Sequence, residues 1–410
     1  MKILFVTQWC EPEPTFKGLG FARALSDRGH RVEVLTGFPN YPGGRLYPGY
    51  RVKLRQREWI DGILVTRVPL YPSHDGCAIR RIVNYVSFAL AAATVGVCSI
   101  DRPDVAYVYH PPGTIAFPAM VLKAIRGVPF VLDIQDLWPD TLAATGMVRN
   151  RAALRAMRWF CGLAYRQAAR IAVLSPGFKQ ALVDRGVPSG KIEVIYNWCH
   201  ESALGQTQSR APIVCEAGFE GRFNIVFAGT MGRAQALGAV LEAAGLVAAR
   251  APRVQFVFVG GGVEVARLKQ KAIEMALPNV RFLPVRPAAE VAPLLAAADV
   301  LLVHLRDDPL FSITIPSKTQ AYMAAGRPIL MAVRGDAARL VTEAGAGVCT
   351  TPEDPSALAD AVCGLSESSP ESLRAMGERG RRYYFEHLSR EKGTACFESL
   401  FRSVVGDVAS

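Results

Sequence analysis

Short apolar runs alternate with helix-length segments along this chain, and they do so in two separate sets. The first set falls at 3–7, 32–35, 63–68, 105–109, 130–134, 171–174 and 192–195; the second at 223–228, 254–259, 280–283, 300–303, 329–331 and 347–349. Runs this short and this uniformly apolar predict strands covered on both faces, and the helix-length spacers supply the cover, so the fold class is α/β with parallel sheets. Each set suffices for one Rossmann-like sheet, and 410 residues exceed what one core usually organises. The predicted domains are 1–198 and 223–385. Between them 199–222 is polar and irregular, with Pro212, Gly218 and Gly221, and reads as a linker. Beyond it, 386–410 is helical with apolar positions at Leu388, Phe397, Leu400 and Phe401; that face needs a partner, either by crossing back onto the first domain or by capping the second.

Half the residues are apolar and a fifth are charged, which excludes extended disorder. A formal charge of +11 fits nucleic acid, an anionic membrane or phosphorylated substrates. Its distribution is uneven. Residues 45–81 hold Arg45, Arg51, Lys53, Arg55, Arg57, Arg67, Arg80 and Arg81 against Glu58, Asp61 and Asp75, and 82–100 then carries no charge at all. A basic segment leading into an apolar helix suits a protein lying on the inner face of the cell membrane; a core helix and a true span are the alternatives. Nucleic acid is not an expected partner. The start of the chain runs straight into a strand without a signal-peptide pattern, so a cytoplasmic location is expected. Nine cysteines without a CxxC pair suggest neither a zinc site nor a disulfide framework, and read as small buried hydrophobes.

Ligands of such sheets bind at the carboxyl ends of the strands, where helix N-termini offer free amides to anions. The loop after the first strand of the second set, with Gly229, Thr230, Gly232 and Arg233, lets backbone approach a phosphate and supplies a guanidinium to fork onto it; a plain strand-to-helix turn is the alternative. Gly261, within a run of three glycines, leaves room for a nucleotide or makes a tight turn. Ser317 and Lys318 stand at the mouth of a helix after a small and apolar run, offering a hydroxyl and a compact cation to one anion. In the first domain, Gly18 and Gly20 sit in the loop after the first strand, where punctuation explains them as well as ligand binding does. His110, Asp136 and Trp138 also follow strands: His110 and Asp136 are candidate catalytic groups, with core packing and helix capping as the respective alternatives, and Trp138 is a candidate face for a sugar ring or a hydrophobic wall.

These segments in this order resemble family 4 of the retaining glycosyltransferases, of GT-B fold, and in particular the branch similar to bacterial O-antigen and capsule N-acetylfucosaminyl or N-acetylhexosaminyl transferases. The resemblance rests on Arg28-Gly29-His30, on Thr36-Gly37-Phe38-Pro39-Asn40-Tyr41-Pro42, on Gln135-Asp136-Leu137-Trp138-Pro139-Asp140, on Tyr196-Asn197-Trp198, on Ala228-Gly229 with Gly232, and on Ile315-Pro316-Ser317-Lys318 through Pro328. It implies two Rossmann-like domains facing across a cleft: the first for the acceptor, with Gly18, Gly20 and Trp138 on its side; the second for the nucleotide sugar, held by Gly229, Thr230, Gly232, Arg233, Gly261, Ser317 and Lys318. It also implies a terminal helix crossing back, and neither metal nor cofactor. The expected donor is a UDP-sugar carrying an N-acetylated hexose or deoxyhexose. The expected acceptor is a polyprenyl-diphosphate-linked glycan at the cytoplasmic membrane surface, in cell-surface polysaccharide synthesis. The chain departs from the family pattern at Ile313 and Ala321, where many members have a pair of glutamates, and at Gln135, where many have histidine. These departures motivate a non-catalytic partner subunit as one alternative; a soluble transferase acting on a small molecule is another.

Overall fold

A computed structural model describes residues 1–74, 78–144, 148, 150–201 and 215–409. The chain divides into two compact units. One comprises Met1–Leu174, Phe178–Ile195 and the chain from Thr394 onward; the other comprises Ser175–Gly177 and Tyr196–Gly393. Most of the stretch read as a linker, 202–214, lies outside the described residues.

The first unit holds β1 Lys2–Val6, β2 Arg31–Gly37, β3 Gln56–Ile60, β4 Ile63–Val68, β5 Val105–His110, β6 Phe130–Ile134, β7 Arg170–Val173 and β8 Ile192–Val194. Among the described residues they form one sheet in the order β3-β4-β2-β1-β5-β6-β7-β8. Every pairing is parallel except β3 with β4, so the order reverses direction at β1 and β5, whose carboxyl ends open the crevice where such sheets bind ligands. β3 is absent from the sequence reading. It is an edge strand with a half-exposed alternation, and its Arg57, Glu58 and Trp59 hide it inside the basic segment.

Helix Arg390–Ala409 brings Phe397 and Phe401 against Tyr107, at ring-centroid distances of 5.5 and 6.0 Å, with Phe21 5.2 Å from Phe397. Both phenylalanines are fully buried, and each such side chain contributes about 1.5–3 kcal/mol of burial free energy. The same helix carries Glu398, which accepts from Arg28 Nε at 2.6 Å and from Arg402, and those bonds hold its carboxyl down to about 2. Beneath the helix lies a buried ionic network. Lys17 Nζ donates to Asp133 Oδ2 at 2.7 Å, Tyr107 Oη donates to the same oxygen at 2.6 Å, and Gln135 Nε2 donates to Oδ1 at 2.6 Å. Lys17 also sits 4.7 Å from the Phe397 ring centroid.

The second unit holds β9 Phe223–Ala228, β10 Val254–Val259, β11 Val280–Leu283, β12 Val300–His304, β13 Ile329–Ala332 and β14 Gly347–Cys349. They pair in parallel in the order β11-β10-β9-β12-β13-β14, so the reversal falls between β9 and β12. Apolar clusters cover both faces, as expected of uniformly apolar strands. The cysteines depart from their reading: Cys10, Cys161, Cys199 and Cys363 are buried, but Cys98, Cys215, Cys349 and Cys396 are exposed.

Candidate active site

β9 ends at Ala228, and the chain then folds against the glycine run that follows β10. Met231 N donates to Gly261 O at 2.7 Å, and Glu264 N to Met231 O at 3.1 Å. A Cβ on Gly260 would lie 2.2 Å from Gly229 O, and one on Gly262 would lie 2.3 Å from Met231 O, with φ of +133° and +142°. These two glycines are therefore required by the approach of two backbones. Gly262→Ala is expected to destabilise the second unit by about 1–3 kcal/mol, measurable as a lowered thermal midpoint.

The two loops form one wall of a cavity of about 490 Å³, lined by Gly229, Thr230, Gly261, Arg286, Lys318 and Tyr322, with Val259, Val285, Val291 and Leu295 making an apolar side. Lys318 belongs to helix Ser317–Ala325, which follows β12 and so starts at the reversal of the sheet. Tyr322 anchors that helix, its hydroxyl accepting from Ala228 N at 2.9 Å and donating to Ala228 O at 3.3 Å. The Lys318 ammonium is buried without a hydrogen-bond partner among the described residues and lies 3.5 Å from the Phe227 ring centroid, under Gly229. Burial lowers its pKa to about 7. A cation held out of water, beside glycine backbone and at a helix N-terminus, is arranged to take an anion. Ser317, at the same helix start, is exposed.

The structure does not bring Arg233 into this cavity. Gly232 N donates to Gln235 Oε1 at 2.9 Å, Ala236 adopts φ +44°, and this local turn throws Arg233 outward, 88% exposed and 3.8 Å from Glu264. It lines a separate depression with Glu242, Arg267 and Lys271. Gly232 thus serves the turn. Arg286, which no motif marks, stands on the cavity, its Nε buried without a partner and its terminal nitrogens paired with Glu216 and Glu290. Ala321 also lines the cavity, so the position where relatives of the resemblance carry glutamate does face the ligand space.

In the first unit, the carboxyl ends of β5 and β6 bring His110, Asp136 and Trp138 together. His110 is fully buried, both ring nitrogens lack hydrogen-bond partners among the described residues, and burial pushes its pKa down to about 4, so it is neutral at pH 7. Its ring meets Trp138 edge-on at 5.9 Å, and a Cβ on Gly113 would lie 2.9 Å from Trp138. Trp138 is 6% exposed and also packs against Tyr85 at 6.1 Å, so it is a wall of this cluster. The Asp136 carboxyl has no hydrogen-bond partner among the described residues, and burial raises its pKa. His304 differs from His110: one ring nitrogen meets Gln235 O at 2.7 Å and the other accepts from Glu353 N at 3.3 Å, a structural tie.

Gly18 has a local explanation. Leu19 N donates to both carboxylate oxygens of Glu11 at 3.0 Å, capping helix Leu19–Ser26, and a Cβ on Gly18 would lie 2.4 Å from that carboxylate. Glu11 already fills the anion position of this helix start. Gly20 has open space around it and is exposed.

Residues 19–198 match the family model described as a glycosyl transferase 4-like domain, and residues 222–368 match that described as glycosyl transferases group 1. The chain is 29% identical over 310 residues to the probable glycosyltransferase WbjE of Pseudomonas aeruginosa, covering 73% of this chain and 75% of that one. It is 25% identical over 391 residues to the putative colanic acid biosynthesis glycosyl transferase WcaI of Escherichia coli K12, covering 90% and 92%. Anabaena HepE, solved in complex with UDP-glucose, shares the fold with a TM-score of 0.71 at 16% identity, covering 98% of this chain and 100% of that one. With both units matched in order and a nucleotide-sized cavity at the reversal of the second sheet, the chain belongs to the family 4-like glycosyltransferases of GT-B fold.

Proposed function

We propose that this enzyme transfers a sugar, an N-acetylated hexose or deoxyhexose, from a UDP-sugar to a polyprenyl-diphosphate-linked glycan at the inner face of the cell membrane, with retention of anomeric configuration. The observation that carries the donor half is the buried, unpartnered Lys318 ammonium beside Gly229. When the bond between the anomeric carbon and the diphosphate oxygen breaks, negative charge grows on the departing UDP. A preformed cation and the free amides of a helix start stabilise that charge without reorganising. The apolar side of the cavity suits the flat face of a pyrimidine. HepE, bound to UDP-glucose, supports the choice of nucleotide, and WcaI, named for colanic acid biosynthesis, supports a polysaccharide product. His110 and Asp136 are the polar groups that the first unit offers to the transfer step: a neutral imidazole and a carboxyl, both free to take new partners.

Incubation with a panel of sugar nucleotides and lipid-linked acceptors tests the reading. Turnover with a UDP-sugar and a membrane-derived acceptor is expected, and absence of turnover with every such acceptor would overturn the acceptor half. The geometry also separates the two arginines. Arg286→Ala is expected to weaken UDP binding about tenfold, as befits one charge-assisted contact, whereas Arg233→Ala is expected to change it less than about threefold, both read by calorimetry.

A further inference from the structure

Helix Ala78–Ala91 continues through Ala92–Gly96 and Val97–Ser99, and its apolar portion, Ile79–Ser99, has a mean hydropathy of 1.7. Length and composition would permit a membrane span, but packing opposes it. Asn84, Tyr85, Phe88, Ala92, Gly96 and Val97 are buried in the first unit, and a Cβ on Gly96 would lie 2.8 Å from Leu35. The opposite face is the unusual one. Ile79, Ile82, Val83, Val86 and Leu90 follow a helical spacing and are 41–72% exposed, an apolar stripe on the outer face of the helix. Tyr71 extends it, 45% exposed and fixed to the helix by its N–H, which donates to Ser87 Oγ, and its carbonyl, which accepts from Asn84.

The chemistry beside the stripe identifies what covers it. The antiparallel register Gln56↔Arg67 sets the start of β3 next to the carboxyl end of β4, so residues 51–55 and residues 69–74 lie at the same end of the sheet. Arg51, Lys53 and Arg55 are exposed and have no carboxylate partner among the described residues, while Arg57 pairs with Glu33. Between them stand Val52 and Leu54, 42% and 72% exposed. Cations without a carboxylate partner among the described residues, interleaved with apolar side chains at the end of the sheet from which the chain passes into the striped helix, match a surface that is anionic outside and hydrocarbon within.

We infer that this face of the first unit docks on an anionic phospholipid surface, with Ile82, Val86 and Leu90 entering the boundary between headgroups and acyl chains and Arg51, Lys53 and Arg55 meeting lipid phosphates. The inference deepens the membrane-acceptor reading and rests on it for its purpose, but its test needs no turnover. The purified full chain is floated with phosphatidylcholine vesicles, with and without phosphatidylglycerol, at low and high salt. Binding is expected only where phosphatidylglycerol is present and is expected to fall as salt rises. The triple variant Ile82→Ser, Val86→Ser, Leu90→Ser is expected to lose at least about tenfold in bound fraction, and Arg51→Glu, Lys53→Glu, Arg55→Glu to lose the dependence on phosphatidylglycerol. UDP affinity, set in the other unit, is expected to be unchanged in both variants. Failure of the wild-type chain to bind any vesicle, or binding equal in wild type and both variants, would overturn the inference. So would a self-association, detected by sedimentation, that the serine variant abolishes while vesicles stay unbound. Absence of UDP binding in every protein would instead sink the donor reading and leave the docking result standing.

Discussion

Replacing Lys318 with alanine is expected to lower kcat/KM for the sugar donor about 100-fold, or roughly 2.7 kcal/mol of transition-state stabilisation, the size seen when one preorganised group facing a developing oxyanion is removed. The effect should be this large because the ammonium is already buried and has no hydrogen-bond partner among the described residues, only the face of the Phe227 ring, so no hydrogen bond has to break when UDP departs. The same burial makes a second, independent signature. In the free enzyme Lys318 titrates at about 7, well below an ordinary lysine, and a bound diphosphate favours its charged form and raises that value. Below pH 7 the cation is present beforehand, and the affinity for a UDP-sugar, whose diphosphate has no group titrating in this range, should be flat. Above it, binding must first take up a proton, so affinity should fall by up to about tenfold per pH unit until the pKa of the complex is reached. Calorimetry from mildly acidic to mildly basic pH checks this, and the slope should be absent from Lys318→Ala. A wild-type affinity that rises with pH would refute the assignment.

The largest stability effect is expected at the fully buried Asp133. Asp133→Asn keeps the shape but has one acceptor oxygen where Asp133 has two, so it can accept from Tyr107 or from Gln135 and not both, and it leaves the fully buried Lys17 ammonium without its carboxylate. Breaking a buried pair in this way costs about 3–5 kcal/mol. Burial already lowers the pKa of Lys17. In the variant the lysine can escape by losing its proton in the folded state while the unfolded chain stays protonated, so the deficit should shrink as pH rises. Lys17→Met combined with Asp133→Asn should recover most of the loss, since it removes the buried charge that the carboxylate neutralised. Denaturant unfolding of the two single variants and the double variant reads the coupling directly. Additive losses would show that the pair is not a unit.

The alternation of apolar runs and helices made the two sheets legible, because parallel strands buried on both faces leave an unmistakable pattern. Among the described residues only β3 escaped, since an edge strand with Arg57, Glu58 and Trp59 obeys no such constraint. Within the site, Lys318 was readable because an apolar run led to a lysine at a helix start. Arg233 looked equivalent, but the direction of a loop side chain depends on turn geometry, here on Gln235 and the left-handed Ala236, and spacing does not encode that. Arg286 carried no signal beyond following a strand. Sequence alone leaves Gly18 open between ligand binding and structural punctuation, and the chain's own Glu11, which fills the space beside it, favours the second.

The assignment of Thr394 and the residues after it to the first unit has a consequence for biosynthesis. A nascent chain emerges from its amino end, and domains ordinarily complete themselves in that order. Here the sheet of β1–β8 is threaded out of the ribosome some 200 residues before the helix that supplies Phe397 and Phe401, the cover over Tyr107 and Lys17. During that interval the half-built unit carries an uncovered aromatic surface above a charged pair, a natural substrate for a holding chaperone. A minimal independent version of this unit would have to splice the late helix directly behind Ile195, since a simple truncation there would strand the same surface permanently.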